Sequence, residues 1–232
     1  MKFNIAKTGG VKAELVFEDR LDTEFVKALA EKEVFSGKAE EVYFSMNEKF
    51  ECNLLIGLGK EEDIEFDMLR KTFFKVAEVL LKNKVAEVEL NIPKLNNLCN
   101  YKLAEAIAEG MLHATYKFDK FKSEKKETPE LIVNYNPIPG KEHRAEKGID
   151  EAKKLIESIF LTRDLVNQPA NVIYPETLAD ITKERLEAKG VKVTVYGKKE
   201  IEEIGMEAFL TVARASAKEP KLIVMEYYNN PE

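Results

Sequence analysis

The alternation of apolar and polar residues predicts strands and helices that follow one another along the chain. Residues 1–17 alternate as short strands do, and residues 52–59, CNLLIGLG, are almost continuously apolar. Such a run is typical of a strand that is buried on both faces of an α/β sheet. Residues 63–82 and 101–116 carry apolar side chains at helical spacing and predict long helices between further strands.

The same pattern resumes after residues 136–148, NPIPGKEHRAEKG, which are rich in turn formers and charge. We interpret this segment as a domain boundary, so that residues 1–147 form an N-terminal α/β domain. Apolar spacing predicts a linker helix in residues 148–167, and residues 168–232 begin a second α/β domain. Alternating strands and helices predict a mostly parallel sheet in each body. An unpaired edge of the strand in residues 221–228 is one route to self-association.

Composition and charge restrict the class of protein. The 232 residues are 44% apolar and 34% charged, without Trp, and the formal net charge is −6. This net charge argues against general nucleic-acid binding. No run approaches the roughly 18 apolar residues of a membrane span, and the first ten residues lack the apolar core of a signal peptide. These features predict a cytoplasmic protein with no membrane partner.

Metal-ligating and nucleophilic residues occur without the spacing of a known site. Cys52 and Cys99 are isolated, and we expect both to be buried small hydrophobic residues. His113 falls within a predicted helix and His143 within the charged boundary segment. No HExxH, CxxC or calcium-binding loop accompanies them, and no GxSxG nucleophile motif is present.

Two segments raise the possibility of anion or nucleic-acid binding. Gly57 and Gly59 end a predicted strand before a helix, but the sequence GLGKEED lacks both the third glycine of a dinucleotide fingerprint and a GK[ST] ending. Residues 116–122 interleave aromatic and basic side chains, and we expect the aromatic ones to dock on the core while the lysines stay solvated. A local basic face remains an alternative, formed by Lys117, Lys120, Lys122, Lys125 and Lys126.

Residues 162–175, TRDLVNQPANVIYP, have the features of a helix end followed by an ordered connector. Pro169 cannot continue a helix, whereas Pro175 suits the first turn of the next one. Asn167 and Asn171 flank Pro169, and their short amides can bond nearby backbone in turns. The spacing alone indicates an ordinary helix-to-helix connector.

The residue identities in this stretch are more informative than the spacing. RDLVNQPANVIYPETLA closely resembles the segment that enters the catalytic domain in the leucyl aminopeptidase (cytosol aminopeptidase) family of two-metal exopeptidases. GMEAFLTVARASAKEPKLIVMEY is similar to the next block of that family, and residues 54–80 and 105–126 are similar to segments of its N-terminal domain. The resemblance implies a structural role at the domain junction for Arg163, Asp164, Asn167, Pro169, Asn171 and Pro175.

The resemblance implies a parent enzyme that releases N-terminal amino acids from peptides and assembles as a homohexamer. Its two divalent ions, Zn or Mn, would lie about 3.5–4 Å apart, activate a water and polarise the peptide carbonyl. The family's metal ligands follow the strand that KLIVMEYY resembles, and the present sequence ends at Glu232, before them. We therefore predict that this chain holds no catalytic residue and no metal ligand, and that it is inactive alone.

The alternative hypothesis is a non-enzymatic module derived from the same family, with a regulatory, assembly or nucleic-acid-binding role. The sequence departs from the family pattern at a few positions without disputing the resemblance. Glu207 and Ala215 replace common small or glycine residues. Tyr174 stands where the family usually has a small hydroxyl residue, so we expect the following helix cap to be weaker by about 1 kcal/mol.

Overall fold

A computed structural model of the chain describes residues 1–49, 51–95, 98–124 and 129–230. The described residues contain eight strands and seven helices. They form two compact units, Met1–Thr162 and Arg163–Glu232.

The first unit is a six-stranded sheet with helices. Its strands are β1 (Lys2–Ile5), β2 (Val11–Val16), β3 (Val42–Met46), β4 (Cys52–Gly57), β5 (Glu87–Asn91) and β6 (Ile132–Asn136). Its helices are α1 (Glu24–Glu31), α2 (Phe66–Lys82), α3 (Asn100–His113) and α4 (Glu142–Asn167), the last of which runs past the end of the unit. The strand order is β1-β6-β5-β2-β4-β3, and every pair except β3–β4 is parallel. The predicted mostly parallel sheet is confirmed for this unit.

The two faces of the sheet carry different side chains because successive residues of a strand point to opposite faces. Helices α2, α3 and α4 pack on one face, where Ile56, Val88 and Tyr135 belong to the main core. Helix α1 packs on the other face, where Val26 contacts the strand residue Leu55 in a smaller cluster. Strand β4 is therefore buried from both sides, as its continuous apolar run predicted.

The chain crosses the second face between β1 and β2 through residues 6–10, over the intervening strands β6 and β5. A buried amide fixes this crossing. Asn134 is 1% exposed, and its side-chain nitrogen donates to the carbonyl of Gly9 at 3.1 Å and to the carboxylate of Glu87 at 2.7 Å. Its oxygen accepts a hydrogen bond from Asn4 at 3.0 Å, so both polar ends of the buried amide are satisfied.

The three helices on the first face approach one another through glycines. A Cβ at Gly110 of α3 would lie 2.2 Å from the backbone oxygen of Arg70 in α2. A Cβ at Gly148 of α4 would lie 2.3 Å from the backbone oxygen of Tyr101 in α3. Because real Cβ atoms do not approach a carbonyl oxygen this closely, both crossings require glycine.

The start of α4 and the burial of the cysteines differ from the predictions. α4 begins at Glu142, inside the predicted boundary segment, because the carboxylate of Glu142 accepts the N–H of Gly140 at 3.0 Å and no proline follows to stop the helix. Cys52 is only partly buried at the start of β4, and Cys99 is exposed just before α3. Expecting both cysteines to be buried was wrong, because each lies at the end of an element. The domain limits at 147/148 and 167/168 stay a prediction.

The second unit contains a two-stranded sheet. After the end of α4 come α5 (Pro175–Glu187), β7 (Lys192–Tyr196), α6 (Lys198–Ile204), α7 (Glu207–Ala213) and β8 (Leu222–Glu226). Strands β7 and β8 pair antiparallel, with Tyr196 opposite Leu222, so the prediction of a parallel sheet in this body was wrong. The two short helices α6 and α7 lie between the strands in sequence and contact each other. They bring the chain back beside Tyr196 at the end of β7, so β8 runs in the opposite direction to β7.

Several large apolar side chains of the second unit are solvent-exposed in the described chain. Val212 is 87% exposed, Tyr228 79% and Met225 56%. An isolated two-stranded sheet is marginally stable in water and needs further strands or packed helices. Within the described residues, no helix has both the length and the apolar character required to cross a membrane.

Candidate functional site

The six residues singled out by the family resemblance lie at the end of α4, in the turn that follows and at the start of α5. Arg163, Asp164 and Asn167 occupy the last turn and a half of α4, and all three are exposed. Arg163 and Asn167 are four residues apart, so they lie on one side of the helix. The helix ends at Asn167, two residues before Pro169, as the proline predicted.

The turn after α4 is organised by the backbone carbonyl of Pro169. This oxygen accepts the N–H of Val172 at 2.8 Å and the N–H of Ile173 at 3.0 Å. Pro169 and Asn171 are themselves exposed, and the chain then enters α5 at the half-buried Pro175. The segment is therefore an ordered connector. Pro175 lies at the first position of α5, where a missing backbone N–H costs nothing.

The start of α5 is stabilised by a residue that the sequence interpretation overlooked. The hydroxyl of Thr177 accepts the backbone N–H of Tyr174 at 3.0 Å and lies 3.0 Å from the carbonyl of Val172. The side chain of Tyr174 makes no capping bond, in agreement with the prediction for this position. A hydroxyl residue three positions after the cap was the available signal, since the third residue of a helix can bond back to the cap.

A second overlooked contact connects this connector to the segment before β8. The ammonium group of Lys218 lies 3.9 Å from the ring centroid of Tyr174, a cation–π distance. Lys218 also lines a groove of about 320 Å³ together with Glu207, Leu210 and Arg214. The two blocks that carry the family resemblance thus contact each other within the second unit.

The two histidines belong to different helices of the first unit. His113 is at the end of α3, with its ring edge-on to Phe160 at 6.4 Å. His143 is in the first turn of α4, where its nearest acidic partner is Glu146 at 3.9 Å. Within the part of the chain that the structure describes, no group of three or more His, Cys, Asp or Glu side chains could hold a metal ion.

The aromatic and basic segment after α3 is docked only in part. Tyr116 packs on Phe160 with ring centroids 5.0 Å apart, and Phe118 is half-buried. Phe121 contacts Phe118 at 5.8 Å but is 55% exposed, so the expectation that it docks on the core was wrong. Phe121 lies in the loop beyond α3, and none of the described helices or strands covers it enough to bury it. Among the lysines of this segment, Lys117, Lys120 and Lys122 are exposed, while Lys125 and Lys126 lie outside the described residues.

A buried carboxylate lies under the α2–α3 crossing. Glu109 is 2% exposed, and its carboxylate is 3.7 Å from the guanidinium of Arg70, which also pairs with Asp67. Burial raises the pKa of Glu109 above its ordinary value, Glu105 adds to this effect, and Arg70 opposes it. The ionised form of Glu109 is therefore a cost to the folded state at neutral pH.

This environment gives an expected pH dependence for Glu109→Gln. A carboxyl with a raised folded pKa contributes stability below its unfolded pKa and loses it as the pH rises through the folded pKa. The stability of Glu109→Gln relative to the original chain should therefore increase as the pH rises above about 4.5. Urea unfolding at several pH values measures this difference, with Glu31→Gln on the exposed surface as control. A difference that stays constant between pH 4 and pH 8 would contradict the expected effect.

Two family models match the chain. Residues 8–125 match the model described as "Cytosol aminopeptidase family, N-terminal domain". Residues 160–232 match the model described as "Cytosol aminopeptidase family, catalytic domain". The two matches fall on either side of residues 126–159, which contain β6 and most of α4.

Similar proteins are found in several bacteria. The probable cytosol aminopeptidase of Treponema denticola is 74% identical over 231 residues, which are 100% of this chain and 48% of that protein. The probable cytosol aminopeptidase of Clostridium tetani is 40% identical over 235 residues, 99% of this chain and 49% of that protein. The chain thus spans about half the length of these curated relatives.

Solved structures share the fold at lower identity. A mutant of tomato leucine aminopeptidase superposes with a TM-score of 0.81 at 19% identity, covering 100% of this chain and 52% of that one. The bottromycin maturation enzyme BotP in complex with Mn superposes with a TM-score of 0.78 at 21% identity, covering 97% of this chain and 46% of that one. These structures show the shared fold, and the two family models, together with the bacterial relatives, show that the chain belongs to the cytosol aminopeptidase family.

Proposed function

We propose that this chain supplies the accessory domain and the first part of the catalytic domain of a leucyl aminopeptidase-type enzyme. Such an enzyme releases N-terminal amino acids from peptides, here in the cytoplasm. The observation that carries the proposal is 74% identity to a probable cytosol aminopeptidase along the whole chain. The match of residues 160–232 to the family's catalytic domain supports it, because that match includes the connector and the block before β8.

The proposed enzyme uses two divalent metal ions, Mn or Zn. A pair of ions activates the attacking water and polarises the scissile carbonyl. The similar fold of BotP, which was solved in complex with Mn, supports Mn as one of the proposed metals. The residues described here do not fit such a site, since none of their His, Cys, Asp or Glu groups could hold a metal ion. We therefore derive no catalytic step from them and propose that the ligands lie outside residues 1–232.

The proposed enzyme is a homo-oligomer, a hexamer by analogy with the family, and its substrates are peptides. The exposed apolar residues of the second unit support burial of this surface against further protein. Val212 of α7 and Tyr228 after β8 are the most exposed of these, at 87% and 79%. Such side chains stabilise an interface by roughly 25 cal/mol for each Å² removed from water.

A chimera tests this proposal directly. Residues 1–232 are joined to the remaining part of the Treponema denticola relative, and hydrolysis of leucine-p-nitroanilide is followed with Mn²⁺ or Zn²⁺. We expect the chimera to turn over at about 1–10³ s⁻¹, the usual range for enzymes. Residues 1–232 alone should give no hydrolysis above the blank. Metal-dependent turnover by residues 1–232 alone would contradict the assignment of the ligands, and a folded but inactive chimera would contradict the proposed activity.

A further inference from the structure

Strand β1 lies at one edge of the six-stranded sheet and pairs only with β6. In a parallel pair, every second residue of a strand directs its N–H and C=O to the same neighbour. The N–H of Lys2 bonds to Leu131 at 2.9 Å and the N–H of Ala6 bonds to Tyr135 at 3.1 Å. The even-numbered residues of β1 therefore satisfy the ladder with β6.

The backbone groups of Phe3 and Ile5 consequently point away from β6, where the described chain provides no further strand. Both side chains are half-buried on the face that α2, α3 and α4 cover. A groove of about 240 Å³ runs beside them. Its other wall is one face of α4, with Glu146, Ile149 and Lys153 spaced by three and four residues. The groove thus combines unpaired strand backbone with a helix wall.

We propose that the edge of β1 binds an extended peptide segment as a seventh strand of the sheet, in the groove beside α4. The added strand would take the outward N–H and C=O groups of Phe3 and Ile5, as peptides do at other exposed sheet edges. Strand spacing of about 4.8 Å sets the position of the added strand. Recognition is mainly through backbone, so the partner is defined first by its extended conformation.

The charges beside the groove narrow the chemistry of the partner. Lys153 is already paired with Asp150 at 3.0 Å. Lys7 takes part in no ion pair within the described residues, and Glu146 has only a 3.9 Å contact with the exposed His143. One positive and one negative side chain are thus available at the groove. They complement an extended segment that carries one acidic and one basic residue.

A second copy of the chain fits this edge less well than a single segment. The helix α4 forms one wall of the groove, and pairing β1 with another β1 would bring a second α4 to the same junction. Exposed lysines at the ends of the short strand, Lys2 and Lys7, also oppose pairing between two sheets, a common protection of edge strands. A peptide strand without its own helix meets neither obstacle.

Binding of a blocked peptide tests the proposal without reference to peptidase activity. The probe is the peptide acetyl-EVTVTKGC-amide, labelled with fluorescein at its cysteine thiol, and its acetylated N-terminus cannot be an aminopeptidase substrate. We expect saturable binding by fluorescence anisotropy to the 1–232 chain. N-methylation of the peptide amides that face β1 should weaken it by about tenfold or more, because two backbone hydrogen bonds are lost. N-methylation of the alternate amides should change it little.

Amide hydrogen exchange identifies the bound edge residue by residue. Without peptide, the amides of Phe3 and Ile5 should exchange faster than those of Lys2, Asn4 and Ala6, and the peptide should slow only the first two. Ile5→Pro should abolish binding while Ile5→Val retains it, because proline removes an outward donor and spares the ladder with β6. If the Ile5→Pro variant fails to fold, the exchange rates of the Phe3 and Ile5 amides in the original chain still test the proposal. Absence of binding at millimolar peptide, or binding that leaves Phe3 and Ile5 unprotected, would overturn the proposal.

Discussion

Replacing Gly110 by alanine is expected to destabilise the first unit by about 3 kcal/mol, although alanine is the better helix former. Intrinsic propensity alone would make the variant more stable by about 1 kcal/mol. The added Cβ would instead lie 2.2 Å from the backbone oxygen of Arg70 and 3.0 Å from the backbone nitrogen of Phe74. Both atoms belong to the backbone of α2, so no side-chain rotation relieves the contact, and overpacking of this kind costs typically about 1–3 kcal/mol or more.

The sign of the change in unfolding free energy shows whether helix propensity or the close backbone contact dominates in Gly110→Ala. Urea unfolding followed by circular dichroism gives the free energy of unfolding, and Gly148→Ala should behave like Gly110→Ala for the same reason. Gly197→Ala is the matched control, because only the flexible ends of the Glu200 and Lys221 side chains lie near its Cβ, at 3.6 and 3.8 Å. An increase in stability for Gly110→Ala would mean that α2 and α3 do not approach as closely as described.

The close helix crossings at Gly110 and Gly148 could not be predicted from the sequence. The helical spacing in residues 63–82 and 101–116 predicted α2 and α3, since an amphipathic pattern is a local property. α2 begins only at Phe66, after a short 3-10 turn at Glu61–Asp63, and α3 ends at His113. Which glycine meets which backbone depends on how two helices cross, and this is set by tertiary packing rather than by spacing within one helix.

The second unit marks another limit. The strand predicted in residues 221–228 contains β8, but its antiparallel pairing with β7 was not predicted, because that direction depends on the path of residues 197–221 between the two strands. These residues contribute the helix α7, which pairs with α6 and reverses the chain. The direction of this strand pair therefore followed from the path of the chain between the strands, not from the strands themselves.

The connector was predictable from the positions of its prolines, whereas the structural role of the six residues singled out by the family resemblance stays a prediction. The spacing of Asn167, Pro169 and Pro175 indicated only a connector, and the structure contains such a connector. Thr177 and Lys218 were overlooked because their partners, Tyr174 and Val172, become neighbours only when α5 forms and the segment before β8 folds back. The family assignment therefore rests on similarity, whereas these local contacts depend on how the chain folds.

The buried amide of Asn134 should tolerate an isosteric carboxylate very poorly. In Asn134→Asp, an oxygen would replace the nitrogen that now donates to Gly9 at 3.1 Å and to the Glu87 carboxylate at 2.7 Å. Because Asn134 is 1% exposed, solvent would screen little of the repulsion between the new carboxylate and Glu87. We expect a loss of about 3–5 kcal/mol at pH 7, the range found when a buried charge lacks its partner.

The pH dependence of this loss distinguishes charge repulsion from a change of shape. Burial and repulsion from Glu87 should raise the folded pKa of the introduced carboxyl above its unfolded value, so the Asn134→Asp variant should regain stability as the pH falls through that raised value. Asn134→Ala removes the same hydrogen bonds without adding a charge, and its loss should vary little with pH. Asn53→Asp, on the exposed part of β4, is the surface control. Unfolding free energies at pH 5 and pH 7 measure all three, and an Asn134→Asp loss equal at both values would assign the cost to the crossing of residues 6–10 rather than to charge.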